Sequence, residues 1–172
     1  MKTTQTRISR RLLLGGAAGT FLAACTNSKS EAGESAAAEV FSDSEWRSLT
    51  EAEWRERLSP EAFDVLRKED TERAFTSPLN DEKREGTFHC AGCDLPLFKS
   101  EWKYDSGTGW PSFWQFIDGA LGTKPDNKFY MKRTEYHCAR CLGHQGHVFK
   151  DGPAPTGLRY CNNGAALTFK PL

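Results

Sequence analysis

Two short segments of this chain echo each other. Phe88-His89-Cys90-Ala91-Gly92-Cys93 returns 48 residues later as Tyr136-His137-Cys138-Ala139-Arg140-Cys141. Each is a Cys-x-x-Cys knuckle behind an aromatic–His pair. Two such turns supply four thiolates, the donor set of a closed tetrahedral Zn²⁺ site. No other feature constrains the fold as much, because it brings distant parts of the chain into one coordination sphere. With no open coordination position, such a zinc is structural. Rival readings are disulfides, a redox-active Cys-x-x-Cys, and a local site from Cys138, Cys141, His144 and His147 that would strand Cys90 and Cys93. His89 and His137 read as flanking residues rather than ligands.

The segment before the knuckles divides into an address, a spacer and two helices. Ser9-Arg10-Arg11-Leu12-Leu13-Leu14 resembles a twin-arginine export signal. The apolar stretch Leu12–Ala24 is 13 residues long, too short to span a hydrocarbon core of about 30 Å. It ends in Leu22-Ala23-Ala24-Cys25, similar to a bacterial lipoprotein box, so residues 1–24 are expected to be removed and Cys25 to carry lipid. That reading implies an exported, extracytoplasmic protein anchored to a membrane. Residues 25–45, rich in Ser, Ala and Glu, read as a flexible tether. Thr50-Glu51-Ala52-Glu53 is a capping box that predicts a helix over 51–58. Ser59-Pro60 then opens a second helix ending near Glu69.

From about residue 75 the pattern turns to short β-like runs broken by Gly, Pro, Asp and Asn: 87–90, 113–117, 128–138, 147–149, 157–161 and 166–169. They predict a mainly β domain over 46–172, with short leading helices and antiparallel strands. Twenty aromatics can build its core. Beyond residue 24 the chain has 19 basic and 23 acidic residues, a net charge of −4. That balance argues against phosphate-driven nucleic-acid binding.

One cysteine remains. Cys161 lies in Gly157-Leu158-Arg159-Tyr160-Cys161-Asn162-Asn163, where period two puts Arg159, Cys161 and Asn163 on one strand face. A guanidinium on that face is expected to stabilise a thiolate. His144 and His147 offer proton donors to a thiol nucleophile. The bland alternative is a buried, inert cysteine.

Several motifs taken together resemble the B-type methionine sulfoxide reductases. They are Ser106-Gly107-Thr108-Gly109-Trp110-Pro111-Ser112-Phe113, the two knuckles, His144-x-x-His147-Val148-Phe149, Asp151-Gly152-Pro153 and Arg159-Tyr160-Cys161-x-Asn163. The resemblance covers roughly 46–172. It implies two small antiparallel sheets, one structural Zn²⁺ on Cys90, Cys93, Cys138 and Cys141, and Cys161 as nucleophile. It implies that Trp110 packs on the substrate methyl group, with His144, His147, Asp151, Arg159 and Asn163 around the sulfoxide oxygen and the thiolate. The implied substrate is R-methionine sulfoxide in proteins or peptides, the reductant a thioredoxin-like thiol, and the protein a monomer. A zinc-stabilised peptide-binding module and a thiol redox sensor are the alternatives. Departures from the family pattern are Thr108, where many members have a resolving cysteine, Gln145 for a frequent leucine, Asn162 for an aliphatic residue, and Gly164 for serine.

Overall fold

The computed structural model describes residues 40–128 and 132–172. The export signal, Cys25 and most of the tether lie outside the described residues. No helix among the described residues is long and apolar enough to cross a membrane.

Both expected helices form for the reasons their sequence gives. In α1 (Glu51–Arg57) the Thr50 hydroxyl accepts from the Glu53 amide while the Glu53 carboxylate accepts from the Thr50 amide. This reciprocal cap satisfies two otherwise orphaned donors. In α2 (Pro60–Lys68), Ser59 caps the start, Pro60 sits in the first turn, and Glu69 ends the helix in a left-handed conformation. Ala62, Phe63, Val65 and Leu66 form its buried stripe. Ahead of these helices, Phe41 packs against the core beneath the Arg140 guanidinium.

Nine strands follow among the described residues: β1 (Gly86–Cys90), β2 (Pro96–Lys99), β3 (Lys103–Tyr104), β4 (Ser112–Phe113), β5 (Leu121–Asp126), β6 (Arg133–Cys138), β7 (His144–Phe149), β8 (Arg159–Asn162) and β9 (Leu167–Pro171). They form a three-stranded sheet, β2-β1-β9, and a six-stranded sheet, β3-β4-β8-β7-β6-β5. All pairings are antiparallel. The mainly β fold of two small antiparallel sheets with leading helices is the one the sequence predicts.

Individual strands differ from expectation in instructive ways. The 113–117 run pairs only at Ser112–Phe113, after which the Trp114 amide donates to Trp102 and the Ile117 amide to Leu97. Phe116 and Ile117 are apolar because they pack against the core from a loop. β5 escaped notice because it contains Gly122 and Pro125. It is the sheet's edge strand, where a missing backbone donor does little harm.

Aromatic side chains join the sheets. Phe98 of β2 stacks on Phe113 of β4 with ring centres 4.1 Å apart and planes 9° from parallel. Phe88 of β1 meets Phe113 edge-on at 5.0 Å. Tyr136 and Tyr160 extend the cluster from β6 and β8. Phe113 thus serves both sheets from full burial. Phe113→Ala is expected to cost about 3–5 kcal/mol, read as a lowered denaturant midpoint.

Candidate active site

The two knuckles are one structure made twice. The Cys90 amide donates to Leu95 O and the Asp94 amide to Cys90 O, while the Cys138 amide donates to Gly143 O and the Leu142 amide to Cys138 O. Asp94 and Leu142 both take a left-handed φ, 62° and 60°. β1 and β6 deliver these turns to one place. The sulfur atoms of Cys90, Cys93, Cys138 and Cys141 all lie within 4.8 Å of one another. Cys90 and Cys141 sulfurs are 3.6 Å apart, and those of Cys93 and Cys138 3.5 Å. Four thiolates around a zinc at about 2.3 Å would sit about 3.8 Å apart, so spacing and donor chemistry both fit that ion. Arginines close the cluster from outside: Arg47 donates to Ala139 O, Arg67 to Cys141 O and Arg140 to Cys93 O. Among the described residues neither His144 nor His147 belongs to this cluster, so the local alternative site does not form.

On the six-stranded sheet, strand register lines up a row of side chains. Ser112 of β4 is opposite Cys161 of β8, which is opposite His147 of β7, then Glu135 of β6, then Lys124 of β5. Directly opposed residues share a face, so one row crosses five strands. Gly146 permits the close approach of β7 to β8, since a Cβ there would lie 1.9 Å from Cys161 O.

Cys161 is partly buried, beside the Ser112 and Thr108 hydroxyls and the Arg159 guanidinium. Burial pushes its thiol above the ordinary value. Arg159 and the surrounding hydrogen bonds pull the other way without overcoming it. The thiolate expected from sequence is therefore opposed by desolvation, and the resting group is a thiol. Ser106 Oγ joins the hydroxyls, 2.8 Å from both Thr108 and Ser112. Arg159 is gripped by both oxygens of Asp151 at 2.9 Å and lies over the Phe149 ring.

A cavity of about 130 Å³ opens over Cys161, lined by Trp110, Arg133, His147, Phe149 and Asn163 among others. His147 Nε2 lies 2.8 Å from Asp126, which also accepts from Arg133 and from the Lys128 amide. Burial lowers the His147 pKa against the pull of Asp126, so the imidazole is neutral at rest. Asp126 is held well below the carboxylate range by the Lys128 amide and His147.

The remaining expected residues are not all in this cavity. His144 is fully buried behind it, with Nδ1 3.0 Å from Glu135 but too bent to make a good hydrogen bond. Burial pushes Glu135 up, yet His144 and Lys124 outweigh it and leave the carboxyl below its ordinary value. Arg159 and Asp151 line a neighbouring hollow with Thr108. Asn163 reaches the cavity, but its side chain accepts from the Glu72 amide and donates to Gln145 O.

The SelR domain pattern matches residues 58–171. This chain belongs to the SelR-domain family. A peptide methionine sulfoxide reductase MsrB of Pseudomonas putida (strain W619) is 57% identical over 120 residues, covering 69% of this chain and 90% of that protein. The MsrB of Thiobacillus denitrificans is 52% identical over 123 residues, covering 71% and 93%. The chloroplastic peptide methionine sulfoxide reductase B1 of Arabidopsis thaliana is 50% identical over 129 residues, covering 74% and 64%.

Within this SelR domain, sequence reasoning missed Glu72. Its carboxylate accepts from the Gly164 and Ala165 amides, its carbonyl from the Trp110 indole, and its amide donates to Asn163. One residue therefore fixes the indole wall and the segment leaving Cys161. The sequence hid it in the charged run Arg67-Lys68-Glu69-Asp70-Thr71-Glu72-Arg73, which reads as a solvated segment. Gly164 has a plain reason too: a Cβ there would lie 1.9 Å from Ser77 Oγ.

Two further departures from the family pattern, Gln145 and Asn162, explain each other. Asn162 Nδ2 donates to Gln145 Oε1 at 3.3 Å, and Gln145 Nε2 donates to Cys90 Sγ at 3.4 Å. Asn162 also accepts from the Tyr136 hydroxyl at 2.8 Å and donates to Asn163 O. Both amides are fully buried, so each depends on the other for satisfaction. Gln145→Leu and Asn162→Val are each expected to cost about 1–3 kcal/mol by orphaning the partner, while the double variant costs less than their sum. Denaturant midpoints of the four proteins measure that coupling.

Proposed function

We infer that this chain is a peptide methionine sulfoxide reductase that reduces the R epimer, with Cys161 as the nucleophile. The observation that carries the reading is Cys161 on the floor of a small cavity, between the Trp110 indole and His147, in a SelR domain about half identical to enzymes of that name. A binding module has no use for a thiol so placed, and the family makes a bare redox sensor the poorer account.

The chemistry follows from the groups present. A sulfoxide sulfur is electrophilic once its oxygen receives a proton. Cys161 starts as a thiol, and neutral His147 beside it can take that proton and pass it to the oxygen. The Cys161 sulfur bonds to the sulfoxide sulfur, the protonated oxygen shifts to the Cys161 sulfur as the substrate's S–O bond and the new S–S bond break, and Cys161 is left as a sulfenic acid while methionine departs as the thioether. Trp110 packs on the methyl group and selects the epimer. Arg159, held by Asp151, favours the thiolate. Asn163 and His144 act as positioning residues, one tied to the backbone and the other behind His147. Zinc on Cys90, Cys93, Cys138 and Cys141 supplies a cross-link between the sheets and takes no part in the reaction.

Recycling follows from Thr108, whose hydroxyl is hydrogen-bonded to Cys161. Among the described residues the only other cysteines are the four of the cluster. An outside thiol, of the thioredoxin kind, therefore attacks the sulfenic acid, releasing water and leaving a mixed disulfide that its second thiol resolves. Export by the twin-arginine route and a lipid on Cys25 would place this reaction outside the cytoplasm. That placement is supported by the motifs of the leader.

A coupled assay on separated epimers is expected to show turnover of the R form alone, lost in Cys161→Ser; equal rates on both would sink the assignment. Arg159→Ala removes the cation that favours the thiolate, so the rate profile moves to higher pH. One equivalent of sulfoxide without reductant is expected to leave a dimedone-reactive Cys161, and Thr108→Cys to give an internal disulfide instead. Zinc is expected to co-purify one per chain with residues 46–172, and Cys93→Ser to give poorly folded protein.

A further inference from the structure

A second cavity, of about 440 Å³, lies on the far side of Trp110, lined by Phe75, Asn80, Asp81, Lys83 and Tyr104 among others. Trp110 is a wall of both cavities. The cavity over Cys161, at about 130 Å³, falls well short of the roughly 300–1,000 Å³ typical of ligand sites. It has room for the end of one side chain. The rest of a polypeptide substrate must lie outside it, and the larger hollow is the adjoining concave surface that shares the Trp110 wall.

Phe75 stands at the edge of that hollow and is 74% exposed, the most exposed aromatic ring among the described residues. Its φ is 65°, uncommon for a bulky residue and a sign that the surroundings impose the geometry. The Phe75 amide donates to Gly109 O at 2.7 Å, and Asn80 Nδ2 donates to the same oxygen at 3.0 Å. Gly109 has a φ of 91°, and a Cβ there would lie 2.7 Å from the Phe75 ring. The loop of Phe75 is thus laced to the loop of Trp110, and its ring is held outward. An aromatic ring on a fixed backbone is an economical anchor, since little entropy is lost when it is covered.

The charged rim is mixed. Asp81, Lys83 and Asp105 are exposed, while Glu82 is committed to Arg84 and Lys103 to Asn80 O. No single sign of charge dominates, so the face favours an apolar neighbour in the substrate.

We propose that this groove holds the polypeptide flanking the oxidised methionine, with an apolar side chain of the substrate packed on Phe75. The proposal rests on the reductase reading and gives it a basis for preferring methionine sulfoxide within a chain over the isolated residue. The test compares two R-epimer substrates with wild-type enzyme and Phe75→Ala: N-acetyl-methionine sulfoxide methylamide, and the peptide acetyl-Ala-Leu-Met(O)-Leu-Ala-amide. The variant is expected to raise KM for the peptide about five- to tenfold with kcat unchanged, and to leave the single-residue substrate as it was. Phe75→Tyr is expected to restore the peptide KM. Replacing the peptide leucines by alanine is expected to abolish the difference between wild type and Phe75→Ala. An equal loss on both substrates would mean that Phe75 merely props Trp110, and would overturn the proposal. An unchanged peptide KM would do the same, as would a rise confined to the KM of the thiol reductant. Inactivity of the unaltered enzyme on both substrates would instead overturn the reductase reading, and the groove with it.

Discussion

The meeting of two Cys-x-x-Cys turns is the constraint on which the rest of the domain depends. One turn closes β1 in the small sheet, the other closes β6 in the large one. The aromatic contacts of Phe88, Phe98 and Phe113 are non-directional enough to permit several relative settings of the two sheets. Four sulfurs within 4.8 Å permit very few. Arg47 and Arg67 on knuckle carbonyls extend the clamp to the N-terminal turn and to α2, and Arg140 of one knuckle donates to Cys93 O of the other. A domain of this size, with a modest apolar fraction, gains much from such a cross-link.

The site is built by register rather than by loops. Ser112, Cys161, His147, Glu135 and Lys124 stand abreast because each strand is paired without slippage at that row. Irregularity is confined elsewhere, to the step after Tyr136 in β6. Two influences then compete at Cys161. Burial favours the neutral thiol; a guanidinium and two hydroxyls favour the anion. Burial prevails in the free protein, so the thiol is not deprotonated beforehand.

Much of this was readable in the chain. The capping box at Thr50, the proline start of α2 and the paired knuckles are local patterns with local causes, and they fold as written. The family resemblance rested on short motifs whose spacing survives as strand register. What escaped was non-local. β5 hid behind Pro125 because nothing in six residues reveals that a strand will be an edge. Glu72 was invisible because its four partners come from remote segments. Arg159 shares the face of Cys161 as period two assigns, whereas Asn163 lies just past the end of β8, and the same arithmetic could not show that it is tied to the Glu72 and Gln145 backbones. Gln145 and Asn162 looked like separate oddities; only the adjacency of β7 and β8 makes them a pair.

The hydroxyl of Thr108 beside Cys161 has a bearing on the lifetime of the protein. A neighbouring thiol would capture a sulfenic acid as fast as it formed. A threonine cannot, so in the cycle we propose each turnover leaves Cys161 waiting for an encounter with an outside thiol. During that wait peroxide competes for the same sulfur, and oxidation to the sulfinic acid is irreversible for most proteins. Survival per cycle is then a ratio of two bimolecular rates, reductant against oxidant. The number of substrate molecules one chain repairs before it dies is set by the supply of thiol around it, and scarcely by the speed of the chemical step.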